Sequence, residues 1–270
     1  MAEALSKHKS MQLQSIAKEC GIASSGTKQA VKDRILNHVC RALSIADQDN
    51  IVPASVVSID LGFKNLGIVH ISADRTILSW DRHDFCLEEN EFHPSVSAPK
   101  ILQFVRSKIQ TLGPVDAFII EQQRWRQSGG SAVLENTIRV NSIESMLWIA
   151  LYGLNNSHSC WMEPVSGQAV AQTWRPVYQE LFGLPPASAS KTVTAAAAYY
   201  RKKKACTKLV HHWIHHDQVI QFARPDIRSR FLNETKQDDM SDCLLQAIAW
   251  LQWREKIQYY VDHEFAIPST

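Results

Sequence analysis

The chain has 270 residues, 45% of them hydrophobic and 21% charged, with a formal net charge of +2. This is ordinary globular composition for one or two domains, and no apolar run approaches the ~20 residues of a membrane span, so no membrane partner is expected. Six cysteines without a C-x-x-C pair offer neither a zinc knuckle nor a disulfide framework and favour a reducing compartment.

In chain order, "MAEALSKHKS" has no apolar core for a secretory signal, and Glu3 with no arginine makes a poor organelle presequence. Residues 10–41 predict a helix–loop–helix: Leu13, Ile16 and Ala17 fall at helical spacing before a stop at Gly21. After Ser/Thr capping candidates, Val31, Ile35 and Leu36 share a second helical face. The polar stretch 44–53 is the expected linker, dividing a small unit, 1–43, from a main domain, 54–270. "ASVVSID", the turn "LGFKN", "LGIVHIS" and "TILSWDRHDF" predict an antiparallel three-strand meander. "APKILQFVRSKIQTL" has helical periodicity, and "GPVDAFIIE" is a buried-type strand ending at Glu121. A long helix over Glu135–Leu151, a strand at "SCWMEPV", helical stretches near 190–200 and 206–221, and a final helix over about 240–260 complete the pattern. A meander followed by alternating strands and helices predicts an α/β fold: a mixed sheet, antiparallel plus parallel, flanked by helices.

Charge is unevenly spread. Residues 1–41 carry seven Lys/Arg against three Asp/Glu, residues 174–230 ten against three, and residues 231–270 three against seven. Cations for a phosphate backbone beside carboxylates for a metal would look like this; so would charge scattered over solvated faces.

Three segments place acids where apolar elements end or begin. Asp60 closes the first strand, Glu121 closes the fourth, and Asp238, Asp239 and Asp242 crowd the start of the last helix. Residues three or four apart share a helix face, so Asp242 can point with Asp238 or with Asp239. Ligand sites of open α/β sheets gather at the carboxyl ends of the strands, where Asp60 and Glu121 stand. Acids so close repel one another unless a cation neutralises them, and their hard oxygens suit Mg²⁺, with Mn²⁺ able to substitute. Each acid alone has a plainer reading. Asp60 is also a common strand-end turn residue, Glu121 a strand-terminal charge, and helix capping accounts for one of the three aspartates.

At these residues the chain resembles the RNase H-like superfamily, within it the RuvC-like Holliday junction resolvases, and more closely the fungal mitochondrial cruciform-cutting group. "VVSIDLGFKNLGI" is similar to the group's first motif, with its aspartate on Asp60, and "FIIEQQRWR" to the second, with its glutamate on Glu121. "RVNSIESMLW" resembles the long central helix, and "KQDDMSDCLL" the last motif, with aspartates on Asp238, Asp239 and Asp242. Gln122 and Gln123 depart from the arginine often found beside the group's glutamate. The N-terminal unit resembles a SAP-type DNA-binding motif through Leu13, Gly21, Ile22, Ser25–Lys28 and Arg34.

The resemblance implies a Mg²⁺-dependent endonuclease that nicks opposing strands of a four-way DNA junction, leaving 5′-phosphate and 3′-hydroxyl ends. It implies Asp60, Glu121, Asp238, Asp239 and Asp242 as catalytic metal ligands, a homodimer built through the central or final helix, and a mitochondrial location. Other RNase H-like nucleases and a non-catalytic junction or DNA binder are the alternatives. DNA contacts are expected from Lys28, Lys64, Arg124, Trp125, Arg126, Arg201, Lys202, Lys203 and Lys204. Trp125 serves equally well as a stacking platform or as core packing. "HHWIHH" sets His211/His215 and His212/His216 at i, i+4, but without the acidic base of an H-E-x-x-H site a polar helix face outweighs a metal reading.

Overall fold

The computed structural model describes residues 1–46, 50–88, 92–123, 135–154, 160–183, 195–216 and 219–265, with the helix path but no side chains for 195–202. Two compact units emerge. One comprises Met1–Ala54, Ser166–Thr192 and Ile248–Thr270; the other comprises Ser55–Val165 and Val193–Ala247.

The second unit is built on a mixed sheet. Strands β1 (Ser55–Leu61), β2 (Asn65–Ser72) and β3 (Thr76–Asp84) form the antiparallel meander. Strand β4 (Ala117–Glu121) pairs parallel to β1, β5 (Trp161–Val165) parallel to β4, and β6 (Gln221–Phe222) parallel to β3. The strand order is therefore β5-β4-β1-β2-β3-β6.

Period-two alternation gives the sheet two different faces. Val57, Ile59, Leu61, Leu66, Ile68, Phe118, Ile120 and Met162 point to one side. There they join Ile101 and Phe104 of a helix over Pro94–Phe104 and Ile143, Leu147 and Leu151 of the central helix, Glu135–Leu154, in one apolar cluster. The alternate residues, among them Ser58, Asp60, Gly67, Ile119 and Glu121, face the other way. That side receives the first turns of the last helix, Gln237–Asp262: Gln246 Nε2 donates to Ser58 Oγ at 3.1 Å, and the Trp80 indole N–H donates to the Met240 carbonyl at 2.9 Å.

Gly67 makes this seating possible. A Cβ there would lie 2.0 Å from the Asp239 carbonyl oxygen, so backbone rests directly on backbone.

Three elements differ from the sequence reading. The two helical stretches expected near 190–200 and 206–221 are one helix, Ala195–His216, because its lysine- and alanine-rich middle holds no glycine or proline to break it. Of its expected tail, residues 217–218 lie outside the described residues, and Gln221 begins the two-residue strand β6 after buried Ile220. The last helix starts at Gln237 rather than Met240, which brings all three aspartates into helical phase.

In the first unit, helices over Ser10–Glu19 and Lys28–Ile45 bury Leu13, Ile16, Val31, Ile35 and Val39; Leu36 is only half-buried. Gly21 between them has φ +70°, and a Cβ on it would meet the Trp253 ring at 2.3 Å, so conformation and space both require glycine. The Arg34 guanidinium donates to the carbonyls of Ala23 and Ser25 and closes the loop. Buried Arg254 lies over the Trp250 ring at 4.9 Å and bonds His38, while the Tyr260 hydroxyl donates to Glu19 at 2.9 Å. Two short helices bury too little to close a core alone, and this unit completes its core from Gly167–Phe182 and the end of the last helix. Among the described residues no helix is long and apolar enough to cross a membrane.

Candidate active site

Asp60 and Glu121 reach one side of the sheet by register. The parallel pairing of β1 with β4 runs to Ile59↔Ile120, so the next residue on each strand is the acid. The two carboxyl groups stand close enough to act directly on one another. Gly67 is the cross-strand partner of Asp60 in β2, and the Asp239 backbone rests on Gly67. The start of the last helix is thereby set over Asp60.

The electrostatics record the convergence. Burial pushes the Asp60 carboxyl well above the ordinary carboxylate range, and the charges of Glu121, Asp242 and Asp239 push it the same way. Asp239 is also raised, first by burial and then by the charge of Asp238, against the opposing pull of Lys203, Arg82 and Lys236. Asp238 behaves differently. Burial raises it, but the hydrogen bond and charge of Lys203, with backbone N–H groups of Asp238 and Asp239, outweigh that and hold it low. Asp239 and Asp242 are thus the helix acids that act on Asp60, while Asp238 is engaged by Lys203.

Anionic oxygens crowded so that one acid must hold a proton form a donor set suited to a hard divalent cation, and not to zinc. Among the described residues, no group of three or more His, Cys, Asp or Glu side chains is placed so that it could hold a metal ion as the side chains stand. Lys203 pairs with Asp238 beside the other acids.

Two further residues belong to this neighbourhood and escaped the sequence reading. Arg82, the partner of Gly67 on β3, donates to Asn65 Oδ1 at 2.7 Å, lies 3.4 Å from Glu234, and acts on Asp239. Glu144 of the central helix is half-buried and lies close enough to feel the charge of Glu121. Nothing in its spacing separates it from an ordinary charged helix position.

The expected DNA contacts scatter. Lys64 is exposed in the β1–β2 turn, and Lys204 is exposed on the helix that carries Lys203. Lys203 itself pairs with Asp238 at the acid cluster rather than standing on a solvated face. Lys28 belongs to the other unit, where its ammonium donates to the Ser6 carbonyl at 3.2 Å. Arg201 and Lys202 lie on the helix with no side chain described, and Arg124, Trp125 and Arg126 lie outside the described residues. His211 bonds the Gln237 side chain at 2.7 Å, and His216 bonds the His212 carbonyl. Those bonds fit the polar-face reading.

The family model described as "Mitochondrial resolvase Ydc2 / RNA splicing MRS1", a catalytic domain, matches residues 56–231. It spans Asp60 and Glu121 and stops short of Asp238, Asp239 and Asp242. The chain is 27% identical over 268 residues to the mitochondrial cruciform cutting endonuclease 1 of Schizosaccharomyces pombe, covering 92% of this chain and 93% of the relative. It also resembles the crystal structure of the yeast mitochondrial Holliday junction resolvase Ydc2, with a TM-score of 0.66 and 24% identity over 94% of this chain and 97% of that one. That likeness bears out the mixed sheet flanked by helices.

Proposed function

The chain belongs to the family of mitochondrial resolvase Ydc2 and RNA-splicing MRS1 catalytic domains, and from this membership we propose that it is an endonuclease resolving four-way DNA junctions. The observation that supports the reading is that Asp60 and Glu121 end adjacent parallel strands while the start of the last helix, which bears Asp239 and Asp242, rests on Gly67 beside Asp60. Non-catalytic folding gives no reason to gather four acids from three elements.

In this reading Asp60, Glu121, Asp239 and Asp242 hold Mg²⁺, or Mn²⁺ in its place. Asp238, turned to Lys203, stands behind them as a supporting acid. Bound there, the ion would polarise the scissile phosphate and make water a competent nucleophile near neutral pH. The chain's own part is orientation. Adjacent strands set the Asp60 and Glu121 carboxyls side by side, and both would need to be ionised to hold the ion. Water then attacks phosphorus, leaving 5′-phosphate and 3′-hydroxyl ends.

DNA backbone contacts are assigned to Lys64, Arg201, Lys202 and Lys204, with Arg124, Trp125 and Arg126 beside the cut strand and Lys28 on a SAP-like arm. Affinity then falls steeply with salt. A junction offers two equivalent strands, which a two-fold dimer matches with two sites. The central helix supports this: Ile138, Ile149 and Tyr152 share one face and are 55%, 73% and 60% exposed. The last helix gives less support, because Trp250 and Trp253 are buried within their own chain. The family description and the curated relative are both called mitochondrial, and we assign that compartment here.

The family description also names RNA splicing, so a nucleic-acid binder without cleavage is the rival. One assay separates them: a synthetic four-way junction incubated with Mg²⁺ and either wild type or Asp60→Asn. Cleavage by wild type, lost in the variant while junction binding persists, supports the nuclease. Binding without cutting by either protein supports the rival, and normal cutting by Asp60→Asn removes Asp60 from the chemistry.

A further inference from the structure

The ends of the two acid-bearing strands are joined by a feature that the backbone ladder does not supply. Backbone pairing between β1 and β4 ends at Ile59↔Ile120, one residue before the acids. Beyond it, the Gln123 carboxamide N–H₂ donates to two carbonyls, Leu61 on one strand and Glu121 on the other, each at 3.3 Å. A single side chain thus bridges the residue after Asp60 and Glu121 itself.

Gln123 is itself held. On its outer side, Gln122 N–H donates to the Val165 carbonyl at 2.8 Å, which keeps the chain paired with β5 for one residue past Glu121. On the helix side, the Glu144 carboxylate stands near the Gln123 backbone N–H; burial raises its pKa, and that N–H lowers it. Glu144 in turn accepts from the Trp148 indole N–H at 3.4 Å, one turn further along the central helix. Behind Trp148 and Glu144 the same helix is anchored by Ile143 and Leu147 in the apolar cluster, so the carboxylate is mounted on a rigid base.

We infer that Glu144 and Gln123 are positioning residues for the cleavage site: Glu144 fixes Gln123, and the Gln123 carboxamide holds the Asp60 and Glu121 strand ends in register. The inference rests on the acid cluster being that site. It gives Gln123 a task that arginine cannot copy without adding a charge among the acids. It also gives the central helix a second role, separate from its exposed face. Glu144 acts here as a hydrogen-bond acceptor rather than through its charge, and that distinction makes the idea testable.

The experiment compares Glu144→Ala, Glu144→Gln and Gln123→Met with wild type, using Asp60→Asn as the inactive reference. For each protein, single-turnover junction cleavage, junction affinity, melting temperature and Mn²⁺ affinity without DNA are measured. A small displacement of one ligand strand is expected to lower the cleavage rate about ten- to a hundredfold in Glu144→Ala and Gln123→Met, with junction affinity within about twofold. Mn²⁺ affinity falls in both, and melting stays close to wild type. Glutamine at 144 still accepts a hydrogen bond, so Glu144→Gln recovers most of the rate and of the Mn²⁺ affinity.

Equal damage in Glu144→Gln and Glu144→Ala would overturn the inference in favour of a charge role for Glu144. Wild-type rates and Mn²⁺ affinity in Glu144→Ala and Gln123→Met, beside an inactive Asp60→Asn, would overturn it while leaving the nuclease reading intact. Parallel loss of melting temperature and junction affinity in both variants would overturn it in favour of a role in folding alone. Normal cleavage by Asp60→Asn would sink the nuclease reading itself, and this inference with it.

Discussion

The two faces of the sheet are made by alternate residues of the same strands, yet they are built on opposite terms. Toward the central helix stand Val57, Ile59, Leu61, Phe118 and Ile120, all buried and all apolar. Toward the last helix stand Ser58, Asp60, Gly67 and Glu121, where a hydrogen bond, backbone contact and crowded like charges meet. A dry face tolerates volume-conserving exchange, because its free energy comes from non-directional burial. The acid face does not, because one misplaced group leaves others uncompensated. The same alternation therefore separates stability from chemistry at a distance of one residue.

Substitution can break that separation, and Asp60→Asn should do so most strongly. Cleavage is expected to fall by about three orders of magnitude or more, with junction binding retained, as measured by single-turnover cleavage and by gel shift. Stability should move the other way. The folded-state pKa values of Asp60 and Asp239 are raised, so each contributes stability that is complete below the ordinary carboxylate range and lost as pH rises through the raised value. Asp238, held low, has the opposite sign and loses its contribution as pH falls. Metal-free wild type should therefore lose melting temperature, as pH rises out of the carboxylate range, more than Asp60→Asn does. Added Mg²⁺ should stabilise wild type more at pH 8 than at pH 5. A melting series with and without Mg²⁺ checks both statements.

Gly67→Ala comes next. A Cβ placed 2.0 Å from the Asp239 carbonyl must push the last helix off the sheet. The expected result is about a hundredfold slower cleavage with roughly 1–3 kcal/mol of lost stability. The comparison is sharpened by Ile149→Glu on the exposed face of the central helix. It should change stability by no more than about 0.5 kcal/mol, and sedimentation should show a monomer where the proposed dimer forms in wild type. The smallest effect belongs to the dry face. Ile143→Val should cost about 0.5–1.5 kcal/mol in denaturant melts and leave the cleavage rate essentially unchanged.

The sequence made the dry face and the two strand acids legible for one reason: period two, β-branched runs and turn residues are local signals. The meander, the strand ending at Glu121 and the acids at the start of the last helix needed nothing distant to be seen. The choice between Asp238 and Asp239 did. It depends on contacts that only the fold supplies: the last helix rests on Gly67 at Asp239, and Lys203 from a separate helix pairs with Asp238. Glu144 looked like any charged position on an amphipathic helix, and only the fold brings it to Gln123. Strand β6 is two residues long, too short for any periodicity. The first unit draws on three separated stretches of chain, and only tertiary packing can group them.

All of this rests on the acid face acting as one ligand set. The most direct measurement is a Mn²⁺ titration of the DNA-free protein followed by electron paramagnetic resonance, for wild type, Asp60→Asn, Glu121→Gln and Asp242→Asn. The account predicts that each substitution weakens the same bound-ion signal by about tenfold or more. A wild-type affinity that survives all three substitutions would place the ion elsewhere and contradict it.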